Sequence, residues 1–230
     1  MTKKYFKAGI LLATLGIPVF VFLFLKFFGK NNFDLPYFFP VIAENGEVKV
    51  INGDTTFHQP PSFQLIDQNN RSFEYNPSKG GIRILSFFFS RCGTICPTTN
   101  SNLNRVQEKF KDKISIISIT VDPVYDTPEV LNVYAKKYQD KLGLWSFLSG
   151  DKKYIYNLAI KGFKLPVADA NEYDQNIKSI DETFIHSDKL LLIDDRGFIR
   201  GIYSSTDKFE IDRLVVEIKV LLTKVEKVGN

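Results

Sequence analysis

Apolar runs and amphipathic stretches alternate along residues 56–226 and predict strands alternating with helices. IRILSFFFS is continuously apolar at its centre, as expected of a strand buried on both faces. ISIISITVD then has the alternation of a strand, and DTPEVLNVYAKKYQD predicts a helix with Thr127 as N-cap and Pro128 as first residue. Upstream, SFQLIDQNNRSFEY predicts two short strands around a turn.

The second half continues this order. LWSFLSG predicts a strand, residues 151–160 a helix, and KLLLIDDRGFIRGIYS a hairpin that turns at residues 194–197. The last helix carries one apolar face that includes Ile211, Leu214 and Ile218. Together these elements predict an α/β sandwich around a mixed central sheet. A cysteine loop directly after an early strand makes the predicted fold thioredoxin-like.

The amino-terminal segment predicts a membrane anchor. AGILLATLGIPVFVFLFL contains 18 residues without a charge, a length of roughly 27 Å as a helix and close to a hydrocarbon core of about 30 Å. A cleaved signal peptide is the alternative, but KFFGKNNFDLP offers no small-residue cleavage site. We therefore predict an uncleaved anchor over residues 1–30, a tether over 31–55, and one domain over 56–226. With the amino terminus in the cytoplasm, the domain is extracytoplasmic or periplasmic, on a single-pass protein of the cytoplasmic (inner) membrane.

The net charge of +4 belongs to the anchor rather than to the domain. Five of the 30 Lys and Arg residues lie within residues 1–30, where no acidic residue occurs, which leaves 25 basic against 26 acidic groups. Nucleic-acid binding requires a basic patch or stripe. We accordingly predict no nucleic-acid partner.

Two cysteines, Cys92 and Cys96, are the only ones in the chain, and they lie where the apolar strand ends. They can form a disulfide or converge on a soft metal ion such as Cu(I), zinc or the iron of a cluster. A purely structural disulfide is the plainer alternative, but so short a loop removes little entropy from the unfolded chain. Pro97 favours a helix that begins there and runs to about residue 110, which would place Cys96 at its positive end and lower the thiol pKa.

Four blocks of the sequence resemble the Sco/SenC family of copper chaperones. They are FFFSRCGTICPTTNSNL, TVDPVYDTPEVLNVYAKKY, LWSFLSG and FIHSDKLLLIDDRGFIRGIY, which occur in the family's order. The resemblance implies a thioredoxin-like, membrane-held protein of cytochrome c oxidase assembly, with copper bound by Cys92, Cys96 and His186. Two departures from the family pattern stand out: Gly93-Thr94-Ile95 stands where many members have Pro-Asp or a similar pair after the first cysteine, and Ile185 stands where an aspartate often precedes the histidine. Asp181 or Asp188 would then orient the imidazole.

Other polar residues have plainer interpretations. His58 reads as a surface histidine without a partner, and the position of His186 before a strand indicates a loop. Asp122, Asp126 and Thr127 either support the cysteine loop or form a turn and an N-cap, and we favour the second interpretation for Asp126 and Thr127. Met1 is the only methionine, so copper must be held through the thiols.

Three functions fit this scaffold. The first is a metallochaperone, not an enzyme, that carries Cu(I) or Cu(II) to the copper-binding subunit of cytochrome c oxidase or to another copper or thiol target. The second is a thiol–disulfide oxidoreductase in which Cys92 attacks and Cys96 resolves, so that this redox-active pair is catalytic. The third, a peroxidase of the peroxiredoxin type, lacks the usual residues before its cysteine.

Overall fold

The computed structural model describes residues 13–24, 34–138, 143–169, 184–186 and 188–228. The chain divides into two compact units, Met1–Asp34 and Leu35–Asn230. In the first unit, residues 13–24 form helix α1. Among the residues described, no helix has both the length and the apolar character needed to cross a membrane. The rest of the expected anchor lies outside the described residues, so the anchor stays a prediction.

The second unit contains the strands and helices expected for an α/β sandwich. Its strands are β1 (Val50–Ile51), β2 (Asp54–Thr55), β3 (Phe63–Asp67), β4 (Ser72–Tyr75), β5 (Ile82–Phe88), β6 (Ile114–Thr120), β7 (Trp145–Ser149), β8 (Val167–Asp169), β9 (Phe184–His186), β10 (Lys189–Ile193) and β11 (Ile199–Ser204). Its helices are α2 (Ile95–Phe110), α3 (Pro128–Lys137), α4 (Lys152–Asn157) and α5 (Lys208–Val228). A π-helical turn, Leu158–Gly162, follows α4.

Seven strands form one mixed sheet in the order β11-β10-β5-β6-β7-β3-β4. The three central strands β5, β6 and β7 are parallel, whereas β10, β11, β3 and β4 pair antiparallel to their neighbours. The hairpin expected at residues 194–197 joins β10 to β11. Gly197 adopts a φ of 84° there and packs on Pro77, where a larger side chain would clash. The mixed sheet predicted from the sequence is confirmed.

Helices cover both faces of the sheet, as the two adjacent residues Phe87 and Phe88 show. Successive side chains of a strand point to opposite faces. The Phe88 ring lies 5.3 Å from Tyr134 of α3, and the Phe87 ring 6.1 Å from Phe163, which follows α4 and the π turn. The predicted core residues Trp145 and Phe147 are fully buried on the Phe88 side.

Residues 35–40 differ from the predicted tether, because they pack against the sheet. Arg200 of β11 is buried with Asp194 at 2.8 Å, and its Nε and Nη2 atoms donate to the carbonyl oxygens of Pro36 and Leu35. Tyr37 stacks on Phe57 and lies under the Arg200 guanidinium. A buried guanidinium requires an acceptor for each donor, and the chain entering the unit supplies two of them. The compact unit therefore begins at Leu35.

Two short strand pairs were absent from the sequence prediction. β1 and β2 form a hairpin around Asn52 and Gly53, both at positive φ. β8 and β9 pair antiparallel, with His186 opposite Val167. These strands have two or three residues each, too few to show a hydrophobic period.

Replacing Arg200 should destabilise the fold strongly. Arg200→Leu leaves Asp194 buried without its cation, so we expect the free energy of unfolding to fall by about 3 kcal/mol or more. Urea denaturation followed by circular dichroism measures it. Arg196→Leu is the matched control, because this arginine contacts the same aspartate at 3.8 Å from an exposed position, and a loss of at most about 1 kcal/mol is expected. Equal losses in the two variants would contradict the role given to burial.

Candidate functional site

The two cysteines lie together at the carboxyl end of β5, as the sequence predicted. Both are buried, and the two sulfurs are not joined in a disulfide. Helix α2 begins at Ile95, two residues before the expected start, so that Cys96 belongs to its first turn. The backbone N–H of Cys96 donates to the Cys92 sulfur at 3.4 Å. The N-cap residue Thr94 makes no side-chain capping bond, and the sulfur satisfies one of the helix's unpaired N–H groups instead.

The pKa of the Cys96 thiol is raised, which contradicts the lowered value expected at a helix start. The largest cause is a hydrogen bond shared with the Cys92 sulfur, followed by burial and by the charge of Cys92. The neighbouring sulfur and burial are thus the main causes of the raised pKa. Within the pair, the Cys92 sulfur accepts the backbone N–H of Cys96.

A buried carboxylate, Asp126, holds the segment that precedes Cys92. It accepts hydrogen bonds from the backbone N–H of Ser90 at 3.0 Å, from the Ser90 hydroxyl, and from the Thr120 hydroxyl at the end of β6. Asp126 is fully buried, and burial raises its pKa despite these hydrogen bonds. Our preferred interpretation of Asp126 as a turn residue was therefore incomplete, since it ties the cysteine loop to β6. Thr127 is the predicted N-cap and accepts from the N–H of Val130.

Arg91 is fixed on the other side of the same loop. Its guanidinium donates to Asp122 at 2.5 Å and lies 4.1 Å from the centre of the Tyr125 ring. Asp122 is buried, whereas Arg91 is partly exposed. The positive charge next to Cys92 is thus paired with a carboxylate, and the turn after β6 contacts the loop through both Asp122 and Asp126.

His186 lies at the end of β9, and the loop expected for it is therefore a short strand. The structure describes its backbone only. Asp188, two residues later, lines a small cavity together with Cys96, Thr99 and Ser205. Its carboxylate accepts from Ser204 and Lys189, which keep its pKa below the ordinary value although partial burial opposes them. Asp181 lies outside the described residues.

Among the side chains that the structure describes, no group of three or more His, Cys, Asp and Glu could hold a metal ion. The cysteine pair has two sulfur atoms that could bind a soft ion. His58 is not placed to act as a further ligand, because its Nε2 lies 2.7 Å from the carbonyl oxygen of Gly162. That contact corrects the prediction of a histidine without a partner. It arises because the segment before β3 packs on the π turn, 104 residues away in the chain.

Two buried polar residues near the cysteines were missed in the sequence. Asn100 of α2 donates to the Tyr134 hydroxyl at 2.7 Å. Burial raises the pKa of Tyr134, and the neighbouring Cys96 raises it further. Tyr134 therefore stays a neutral phenol beside the thiols. From the sequence, Tyr134 could be recognised only as part of the apolar face of α3. That pattern predicts a buried side chain but does not show that its hydroxyl contacts α2.

The sequence of this chain is similar to that of known proteins. A sequence model of the family described as SCO1/SenC matches residues 53–223. The chain belongs to the SCO1/SenC family. A SCO2-like protein of Rickettsia typhi is 36% identical over 156 residues, which cover 65% of this chain and 72% of that protein. A putative copper-binding protein of Stutzerimonas stutzeri is 32% identical over 145 residues, 61% of this chain and 67% of that one.

A solved structure extends the SCO1/SenC assignment to three dimensions. BsSco, described as a member of the Sco family of cytochrome c oxidase assembly proteins with a disulfide switch, is 26% identical. It superposes with a TM-score of 0.59 over 72% of this chain and 94% of BsSco. The thioredoxin-like fold predicted from the cysteine loop is thereby confirmed for this SCO1/SenC protein.

Removing the charge of Asp126 should change how stability depends on pH. Its pKa is raised in the folded protein, so its contribution to the free energy of unfolding is fullest below the ordinary carboxyl pKa of about 4 and decreases as pH rises through the raised value. Asp126→Asn removes this decrease. Urea denaturation of wild type and variant between about pH 4 and pH 9 gives the free energy of unfolding of each. We expect the difference between the two free energies to change with pH.

Glu129→Gln is the matched control for that experiment. The Glu129 carboxylate is exposed and has a lowered pKa, because it accepts hydrogen bonds from its own backbone N–H and from Thr127. Its contribution to the free energy of unfolding is present above the ordinary carboxyl pKa and is lost as pH falls. This pH dependence is opposite in direction to that of Asp126. A pH dependence in Asp126→Asn that is identical to wild type would show that burial does not control this carboxyl group.

Proposed function

We propose that this protein is a membrane-anchored, extracytoplasmic copper-binding protein that delivers copper to a respiratory oxidase. The observation that carries the proposal is the buried pair Cys92 and Cys96 at the start of α2, in a loop that Asp122 and Asp126 of the turn after β6 hold through Arg91 and Ser90. Two sulfur ligands in one loop favour a soft ion, and Cu(I) is the softest common one. The family and the copper-binding relative support the same metal.

His186 is proposed as the third ligand. Strand β9 ends at His186, and Asp188, two residues later in the sequence, lines a small cavity together with Cys96. The nearness of Asp188 to Cys96 is the observation that supports His186 as a ligand. Copper is the cargo of the site, and imidazole binds both of its oxidation states. Because thiolates are the ligating form, loading displaces the proton that the raised pKa keeps on Cys96.

Anchoring is proposed from the first unit. Helix α1 exposes large apolar side chains, among them Leu15, Ile17, Phe20 and Phe22. An exposed apolar surface of this size is typical of contact with a membrane or a partner. With the anchor in the inner membrane and the second unit outside the cytoplasm, the cysteine loop faces the compartment in which the copper sites of respiratory oxidases are assembled. The proposed recipient is the oxidase's copper-binding subunit.

Copper titration of the reduced full chain in detergent tests the ligand set. We expect one copper per chain, with thiolate-to-copper absorption, and at least about a tenfold loss of affinity in Cys92→Ser, Cys96→Ser and His186→Ala. His58→Ala is the matched control, because His58 is engaged by Gly162, and it should bind as wild type does. Unchanged binding by His186→Ala would remove His186 from the site, and no binding by wild type would end the copper proposal.

A thiol–disulfide oxidoreductase is the second candidate, favoured by the hydrogen bond within the pair. The Cys96 N–H donates to the Cys92 sulfur and stabilises a thiolate there, whereas the pKa of the Cys96 thiol is raised. This difference suits Cys92 as the attacking sulfur and Cys96 as the resolving one. In that role Cys92 forms a mixed disulfide with a target cysteine, and the Cys96 thiolate then displaces the target thiol as the intramolecular disulfide forms. Two electrons pass to the target disulfide, and both target thiols are released.

The two roles separate in a pair of cysteine variants. Cys96→Ser should accumulate a mixed disulfide with a model disulfide peptide, because the resolving thiol is absent, whereas Cys92→Ser should accumulate little. Mass spectrometry after acid quenching measures both. Turnover of the peptide by His186→Ala at the wild-type rate would favour exchange as the main activity. Failure of wild type to reduce the peptide would leave copper delivery as the function.

A further inference from the structure

Two buried hydroxyl groups connect helix α2 to the end of β11. Thr99 of α2 and Ser205, which follows β11, share a hydrogen bond of 2.6 Å between their side-chain oxygens, and both residues are buried. Asn102 of α2 adds a second bond, which its amide donates to the Ser205 carbonyl oxygen at 2.9 Å. Thr99 follows Cys96 by three residues, so the two side chains lie on one face of α2. This connection, which we call the Thr99–Ser205 link, therefore begins one helical turn from Cys96.

The Thr99–Ser205 link continues to Asp188. The backbone N–H of Ser205 donates to the Asp188 carbonyl oxygen at 2.9 Å, and the Ser204 hydroxyl donates to the Asp188 carboxylate. Cys96, Thr99, Asp188 and Ser205 line the same small cavity. A continuous set of hydrogen bonds thus joins the helix of Cys96 to the residue that begins the approach to β10.

The first residues of β10 are held mainly from the β11 side. In the part of the chain that the structure describes, β10 pairs with β5 from Leu191 onward, whereas its pairing with β11 begins at Lys189. Ser205 extends the β11 pairing by one hydrogen bond, to Asp188. The Thr99–Ser205 link fixes the end of β11 relative to α2, and it therefore sets how far Asp188 lies from the cysteine helix.

His186 is tied to Asp188 through the backbone. It precedes Asp188 by two residues and ends β9, so the two Cα atoms are at most about 7 Å apart. A limit on the position of Asp188 is therefore also a limit on the position of His186, the proposed third ligand. Groups that hold the ligands of a metal site in place commonly change its affinity by about 10- to 100-fold when they are removed.

We infer that Thr99 and Ser205 are positioning residues for the proposed copper site, because their link sets the distance between the cysteine pair and the end of β9. This inference rests on the ligand set of the proposed function. Hydroxyl oxygens suit hard cations, whereas Cu(I) prefers sulfur, so the two residues act through Cys96 and Asp188 rather than on the metal. The plainer alternative is that the link only packs α2 on the sheet.

Copper titration of Thr99→Val in two backgrounds tests the inference. Valine keeps the shape of threonine and removes the hydroxyl. In the otherwise wild-type chain, reduced and in detergent, we expect about a tenfold loss of copper affinity, and Thr99→Ser, which keeps the hydroxyl, should bind as wild type does. In a His186→Ala background, Thr99→Val should cost less than about twofold, because the ligand that it positions is absent. An equal loss in both backgrounds would assign the link to packing alone and overturn the inference.

Tyr203→Phe is the matched control. Tyr203 is buried on the same strand, and its hydroxyl donates to Glu217 of α5, so the variant also removes one buried hydroxyl bond of β11 but leaves α2 untouched. We expect wild-type copper affinity, and urea denaturation verifies that each variant is folded. If Tyr203→Phe lost as much affinity as Thr99→Val, any loosening of β11 would have the same effect, and the specific role of Thr99 and Ser205 would be excluded.

Amide hydrogen exchange of the metal-free full chain separates this inference from the copper proposal. The Ser205 amide is protected by its bond to Asp188, so Thr99→Val should raise its exchange rate at least about threefold, and Tyr203→Phe should not. Mass spectrometry of the peptide that carries Ser205 measures the rate. Unchanged exchange in Thr99→Val would overturn the inference even if copper binds. Absence of copper binding by wild type would end the proposed function, whereas raised exchange would still support the coupling of α2 to Asp188.

Discussion

The parallel pairing of β5 with β6 is the constraint on which the site depends. Seven residues of each strand are in register, from Ile82 with Ile114 to Phe88 with Thr120. Parallel strands bring their carboxyl ends to one edge, so the cysteine loop and the turn after β6 meet there. Asp126 then joins the two by binding Ser90 and Thr120. A buried carboxylate is stable only when such donors surround it, and the loop geometry and the Asp126 environment therefore support each other.

The same arrangement makes the cysteine pair asymmetric. The helix that follows the loop directs the Cys96 N–H at the Cys92 sulfur. The two proposed activities, metal capture and disulfide exchange, both use this pair of thiols. They differ in what approaches it, an imidazole and a soft ion in one case and a target disulfide in the other.

At the opposite end of the sheet, the chain that enters the second unit closes the fold. Arg200 pairs with Asp194 and binds the carbonyl oxygens of Leu35 and Pro36. This buried guanidinium is stable because acceptors surround it, and part of them come from a segment more than 160 residues away in the sequence.

From the sequence alone we could predict the strands and helices that have long or strongly periodic patterns, the hairpin at residues 194–197, and the position of Cys92 and Cys96 together after β5. These are local properties of spacing and composition. Only the tertiary structure showed that Asp126 holds the loop, that His58 binds Gly162, that Leu35 belongs to the compact unit, and that the pKa of Cys96 is raised. The first three depend on groups that are distant in the chain, and the raised pKa depends on burial as well as on the position of the Cys92 sulfur. Hydrogen-bond partners and desolvation are decided by packing, which a linear pattern does not contain.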